Sequence, residues 1–428
     1  MAIGSGQWFI VSLFAATPLL VWFPVEIALG GLGFVIPWDS ISLLGAAGES
    51  GSSLTFFAGI LALAVLPPIG LATDRLRIPP RAALYWTLFV VLGGVSILWA
   101  TDEGVIHDRM HTALPLLALY LAATAFCFTR RELLGVFACT ISGAFLSSVY
   151  ALRNAPDGIG RISLVFSSSV TDPNQFANLM LLAISLSFGM LLAFQHTWVR
   201  IVVGTALAVI LYSVFMTMSR GALIALGTII VVYLVRMRAN RRIVIPVALA
   251  SSLLLLLPGI FFARLQHSIA GRGAGRFDIW TAGLYALKDN FLYGAGLDNF
   301  PVIYQRYAGY APTYWGYYRA PHNIYLGVSV ELGILGITLL LLAFGSQLRD
   351  AHLALKASRQ FDWIIPLEAA CWAMLVDGMS LDILWRKSFW LTWMLLAATV
   401  RLHNAENAQK LFRTPVLHSE RLRPWTTV

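Results

Sequence analysis

Apolar runs separated by short charged turns repeat along almost the whole chain, and one stretch breaks the rhythm. Runs such as Leu54 to Ala72 and Ile243 to Phe262 are long enough to cross a hydrocarbon layer of ~30 Å. Reading every run this way predicts about twelve spans, at 8–37, 54–72, 82–100, 112–129, 133–152, 176–195, 199–217, 222–236, 243–262, 323–345, 363–380 and 388–402. The first holds Pro24 and Gly30-Gly31, so it reads as a span followed by a short re-entrant or interfacial piece. The exception is 263–322, polar, aromatic and arginine-bearing, which ends in Pro321-His322-Asn323 and runs straight into the tenth span. Within it Phe277 to Asp289 has helical spacing, whereas Tyr293 to Gly296 and Gly309 to Gly316 read as turns. The pattern predicts an all-α polytopic membrane protein. A single transmembrane domain covers 1–428, with a partly helical cap at 263–322 between two late spans and a tail at 403–428.

Composition agrees, with 58% of the 428 residues hydrophobic and only 12% charged. No Lys or Arg precedes the first apolar run, so that run is expected to stay as a helix rather than to be removed as a signal peptide. The formal charge of +9 lies in turns rather than in one patch, which argues against nucleic acid. With both termini cytoplasmic, inner turns and tail carry 18 of the 30 basic residues, and the short outer turns carry six: Arg109, Arg153, Arg161, Arg220, Arg386 and Lys387. The cap then faces outward and holds the remaining six, Arg264, Arg272, Arg276, Lys288, Arg306 and Arg319. Long loops are exempt from the charge rule, so these six call for a chemical explanation. Cys127, Cys139 and Cys371 lie inside apolar runs with no paired spacing, which excludes disulfides and zinc from the expectation.

Three polar elements share the outer level. Gly271-Arg272-Gly273-Ala274-Gly275-Arg276 alternates glycines, whose amides can converge on an anion, with arginines that grip phosphate bidentately; Arg264 lies just upstream. Trp280 is placed to stack on Arg276. The bland alternative is a hinge whose arginines meet lipid head groups or Asp278. In Thr217-Met218-Ser219-Arg220-Gly221, Ser219 can cap the next helix, leaving its positive end beside Arg220. The competing reading there is an arginine snorkelling to the interface. His322 offers an imidazole able to take a proton from a sugar hydroxyl, or else is merely polar and interfacial, with Asn323 as helix cap. Tyr314 and Tyr318 belong to a dense aromatic run from Phe300 whose faces suit sugars, though an interfacial belt would also collect such residues. Arg153 and Arg161 could widen an anionic site, and Asp172-Pro173 gives a helix start. Ionisable groups inside spans are few, namely Glu26, Glu331, Glu368 and Asp377, and form no proton path. A P-loop and an outer-loop DxD pair are both absent, so ATP hydrolysis and a metal-dependent transferase are disfavoured.

Together, Thr217 to Leu226, Arg276-Phe-Asp-Ile-Trp280, Gly294-Ala-Gly296, and His322-Asn323 followed by Gly333-Ile-Leu-Gly336 resemble the bacterial O-antigen ligase and polymerase superfamily. A looser match lies in Asp172 to Ala177, and the earlier spans match in hydropathy alone. The resemblance implies a GT-C-like glycosyltransferase of the bacterial inner membrane, with its active site facing the periplasm. Its donor would be a glycan on undecaprenyl pyrophosphate, its acceptor lipid A–core oligosaccharide, and its environment membrane lipid. His322, Arg220 and Arg276 match the family's essential histidine and arginines. They imply an inverting transfer without cofactor, in which His322 activates the acceptor hydroxyl and the arginines, with Arg272, hold the pyrophosphate in place of a metal. Arg264, Arg161, Arg153, Asn323, Trp280, Tyr314 and Tyr318 are the expected substrate-binding set. The Arg220 motif departs from the family in reading Arg-x-x-Leu-Ile, and only Thr338 follows Gly336 as a threonine. Rival readings are a polysaccharide polymerase or a protein O-oligosaccharyltransferase of the same superfamily, and, outside enzymes, a transporter of polyprenyl-linked glycan.

Overall fold

The computed structural model describes residues 22–39, 53–155, 161–166, 169–237, 275–313, 316–356 and 362–413. Its helices are α1 (Pro24–Val35), α2 (Leu54–Ala72), α3 (Arg81–Val95), α4 (Glu103–Ala125), α5 (Arg130–Arg153), α6 (Pro173–Ala193), α7 (Thr197–Met216) and α8 (Arg220–Arg236). After them come α9 (Arg276–Asp289), α10 (Phe300–Tyr307), α11 (Ile324–Lys356), α12 (Ile364–Asp377) and α13 (Lys387–Arg413). Short 3-10 turns extend α1, α3 and α10, and Val165–Phe166 pairs antiparallel with Ser169–Val170 in a two-stranded hairpin before α6. Among the described residues six helices are long and apolar enough to cross a membrane: α2, α3 with its extension to Leu98, α5, α6, α7 and α11. The chain is a helical, polytopic membrane protein. The expected span at 243–262 and the first part of that at 8–37 lie outside the described residues, and so do Arg264, Arg272 and Tyr314.

Where sequence and structure differ, capping decides. Hydropathy starts the fourth span at 112, but α4 begins nine residues earlier, because the Asp102 carboxylate accepts the Gly104 amide (2.8 Å) and opens a helix through polar residues. In the expected first span, Pro24 at the first turn starts α1. Helix α11 runs past the expected end at 345 through Ser346, Gln347 and Arg349 to Lys356. The expected helix at Phe277 to Asp289 is present as α9, while α10 falls in a stretch left without an element.

Successive helices reverse direction, so their turns gather at two ends. At one end the Arg75 guanidinium pairs with Glu132, which also closes a capping box with Thr129, and Arg401 donates to the carbonyls of Ala125 and Ile78. The Arg236 guanidinium reaches the buried Glu368 carboxylate from the same end. Several arginines counted for the charge rule therefore also clasp neighbouring turns. Between the ends Trp86 packs on Trp390 (4.7 Å between rings) and Phe344 on Trp393 (5.0 Å), the close apolar packing a bundle needs where lipid is as apolar as the helices.

At the other end the cap threads into a broken helix. Within α11, Gly333 has φ 62° and ψ −160°, and the helix cannot carry its hydrogen bonds across it. The cap replaces them: Ala295 and Gly296 donate to the carbonyls of Val330 and Glu331 (both 2.9 Å), and the Ile334 amide donates to Phe291 (2.8 Å). Gly294 and Gly296 take positive φ to make this approach, and a Cβ on Gly294 or Gly333 would collide with backbone of the other segment. The two glycine motifs, some forty residues apart, are thus the two halves of one clasp.

Candidate active site

The site forms where α6, α8, α9, α11 and α12 end together. Met218 has a positive φ (52°), and the Ser219 hydroxyl accepts the Ala222 amide (3.4 Å), as its type predicts, so Arg220 opens α8 half-buried. Arg161 pins this turn, donating from Nε to the Thr217 carbonyl (2.7 Å) and from Nη2 to Asn174 Oδ1 (2.6 Å). Asn174 stands in the first turn of α6, which Asp172 caps by accepting the amides of Asn174 and Gln175. Gly221 presses on Asp377 at the end of α12, where Asn178 donates to Asp377 Oδ2 (2.8 Å); a side chain at 221 would strike that carboxylate.

Arg276 opens α9 directly after Gly275, whose φ of 83° turns the chain into the helix. Burial pushes the Arg276 guanidinium below its ordinary pKa, and the charge of Arg220 adds to this, while Asp377, Asp172 and Asp382 oppose. Like charges held near each other repel. An anion between the two guanidiniums would turn that repulsion into attraction. Among the described residues no side chain accepts a hydrogen bond from Arg276. The expected stacking of Trp280 on Arg276 is not seen among the described contacts. Its indole N–H instead donates to the Pro321 carbonyl (3.0 Å), binding α9 to the turn before α11.

His322 follows that turn, with φ 47°. Its amide donates to Asp382 Oδ2 (3.1 Å), its Nδ1 lies 3.8 Å from the same oxygen, beyond hydrogen-bond reach, and that buried nitrogen has no hydrogen-bond partner among the described residues. Burial holds the imidazole below the usual histidine pKa; Asp382 pulls it back up, and Arg276 pushes it down again. A neutral imidazole at neutral pH is a proton acceptor. Asn323 caps α11, its Oδ1 accepting the amides of Tyr325 (3.0 Å) and Leu326 (3.1 Å), and the Ile324 amide donates to the Gly378 carbonyl (2.9 Å), joining α11 to the end of α12.

Gly221 against Asp377, Ile324 on Gly378 and Trp280 on Pro321 bring the starts of α8, α9 and α11, with Arg220, Arg276 and His322, to the end of α12. Arg161, Trp280 and Asn323 border it as the struts just described. Arg153 ends α5 exposed, and no contact among the described residues joins it to the cluster. Tyr318 is 68% exposed with φ 52°, beside the site but with its ring in the open. The aromatic run divides its labour: Phe300 and Tyr304 are buried in a small core beneath the cap, Tyr310 stacks on Tyr285 (4.4 Å), and Tyr307 donates to Asp289 (2.5 Å).

Sequence reasoning passed over Asp382, the carboxylate that holds His322. The available signal was the turn Leu381-Asp382-Ile383-Leu384-Trp385-Arg386-Lys387, which carries two of the six basic residues found in short outer turns. Burial raises the pKa of Asp382, and the imidazole and amide of His322 oppose this. The same turn borders a cavity of about 440 Å³ together with Arg109 and Pro321.

Residues 205–341 match the family model described as O-Antigen ligase. No curated protein matches the chain. The matched stretch begins inside α7 and ends in α11 beyond the Gly333 break, so it takes in Arg220, Arg276, His322 and both halves of the glycine clasp. The match covers about a third of the chain and makes that stretch similar to the O-antigen ligase family.

Proposed function

We propose that the protein transfers a glycan from undecaprenyl pyrophosphate to lipid A–core oligosaccharide at the periplasmic face of the inner membrane, with inversion and without a metal. The observation that carries the reading is the pair of like-charged guanidiniums, Arg220 and Arg276, beside a half-buried imidazole whose pKa burial lowers. The acceptor hydroxyl oxygen attacks the anomeric carbon from the side opposite the pyrophosphate. As the new C–O bond forms, the bond to the pyrophosphate oxygen breaks and the hydroxyl proton passes to His322. The two arginines receive the charge that grows on the departing undecaprenyl pyrophosphate, the electrostatic task a divalent cation performs elsewhere. The reading also assigns Arg272 and Arg264 to donor binding and Tyr314 and Tyr318 to the sugar, as the sequence led one to expect.

His322→Ala and Arg220→Ala are each expected to abolish transfer in a purified assay while leaving the protein in the membrane, and wild-type transfer by either would remove the assigned role. A chelator is expected to leave activity intact; full loss restored by Mg²⁺ would overturn the metal-free mechanism. Product length separates ligase from polymerase. Growth of polyprenyl-linked chains without transfer to the core would favour the polymerase.

A further inference from the structure

The cavity of about 440 Å³ falls within the ~300–1,000 Å³ range of small-molecule sites, and neither Arg220 nor Arg276 lines it. Its walls come from α4, the turn before α10, the start of α11 and the Leu381–Lys387 turn, with Arg109, Asp298, Pro321, Asp382, Trp385 and Arg386 among them. Most of its charges are matched. Arg109 Nη2 donates to both oxygens of Asp298 (2.8 Å each), and Lys387 pairs with Asp39 (2.7 Å). Arg386 is different: it is half-buried, and among the described residues no side chain accepts a hydrogen bond from its guanidinium. Burial lowers its pKa and the charge of Arg109 pushes the same way, while the carboxylates of Asp39 and Asp382 oppose without accepting a hydrogen bond from it. A second orphan lies nearby in the buried Arg109 Nε. Trp385 supplies an indole held by stacking on Phe89 (6.1 Å) and Trp390 (6.3 Å). Carboxylates for hydroxyl groups, an aromatic face and one cation lacking an acceptor are the requirements of an anionic sugar.

We propose that this cavity receives the terminal sugar of the acceptor, with an anionic substituent of that sugar on Arg386 and the ring against Trp385. The assignment rests on the transferase reading and adds the second substrate's place. Asp382 is shared between the cavity and His322, so a hydroxyl presented from the cavity meets the imidazole there. The pyrophosphate approaches from Arg220 and Arg276, outside the cavity, and an inverting displacement needs the two on opposite faces of the anomeric carbon.

The test measures binding of a lipid-free, phosphorylated core oligosaccharide to the full-length protein without donor, beside the same oligosaccharide after phosphatase treatment. Wild type is expected to bind the phosphorylated form at least tenfold more tightly. Arg386→Gln should erase that difference while leaving the dephosphorylated form within twofold, and Arg386→Lys should restore part of it. In transfer assays Arg386→Gln should raise the acceptor KM tenfold or more with the donor KM unchanged. Equal affinity of wild type for the two oligosaccharides, or no binding of either, overturns the assignment without needing a variant that folds. A rise in donor KM alone would move Arg386 to the pyrophosphate. Phosphate-dependent binding without any transfer would sink the ligase reading and keep the cavity, whereas transfer with phosphate-independent binding would do the reverse.

Discussion

A left-handed backbone at His322 and a carboxylate on its amide fix where the imidazole stands before any substrate arrives. Such a φ costs a non-glycine residue on the order of 1 kcal/mol or more, and Met218 and Tyr318, on neighbouring turns, share it. Because burial disfavours the imidazolium, the base form is already abundant below the ordinary histidine pKa of ~6.5. The acid limb of kcat/KM is therefore expected below pH 6.5. Asp382→Asn should move that limb lower still, since the carboxylate opposes burial by favouring the charged ring; an upward move would refute the electrostatic link. Arg276→Lys keeps the charge but loses the guanidinium fork, and a fall of tenfold or more in kcat is expected from a single-turnover assay. The histidine and both arginines stood out in the sequence as candidates through their shared outer level and the family resemblance. Asp382 was not, since nothing in the spacing of residues 382 and 322 tells that the end of α12 meets the start of α11.

At the scale of elements, most helices were legible from their apolar runs, and the start of α4 was not. Helix α2 coincides with its expected run, whereas α4 starts where Asp102 caps it rather than where hydropathy rises. The cap's glycines read correctly as turns, but what the turns were for depended on a break inside α11. That break makes a stability prediction. Gly333→Ala and Gly294→Ala each add a Cβ against opposing backbone at positive φ and threaten the clasp's hydrogen bonds, so a loss of about 2–4 kcal/mol is expected in thermal unfolding of the purified protein. Gly309→Ala, where a Cβ meets open space, is the matched control and should change stability by less than about 0.5 kcal/mol. Equal losses at all three positions would mean that the clasp contributes nothing special.

For the whole molecule, the alternation of turns between two ends agrees with the reading from basic residues, and the remaining question is which end faces out. Arg153 and Arg77 lie at opposite ends and are both exposed, so single cysteines there report orientation. In intact cells a membrane-impermeant maleimide is expected to label Arg153→Cys directly and Arg77→Cys only after the membrane is opened; the opposite result would invert the topology. One feature of the fold also constrains how such a chain is built. The segment 291–296 is made before α11, and until it docks, the Val330 and Glu331 carbonyls lack the amides that satisfy them at the Gly333 break. A membrane has no water to lend in its place. Completion of α11 therefore depends on docking of the earlier-made segment, which supplies the hydrogen bonds that the helix following it lacks at its break.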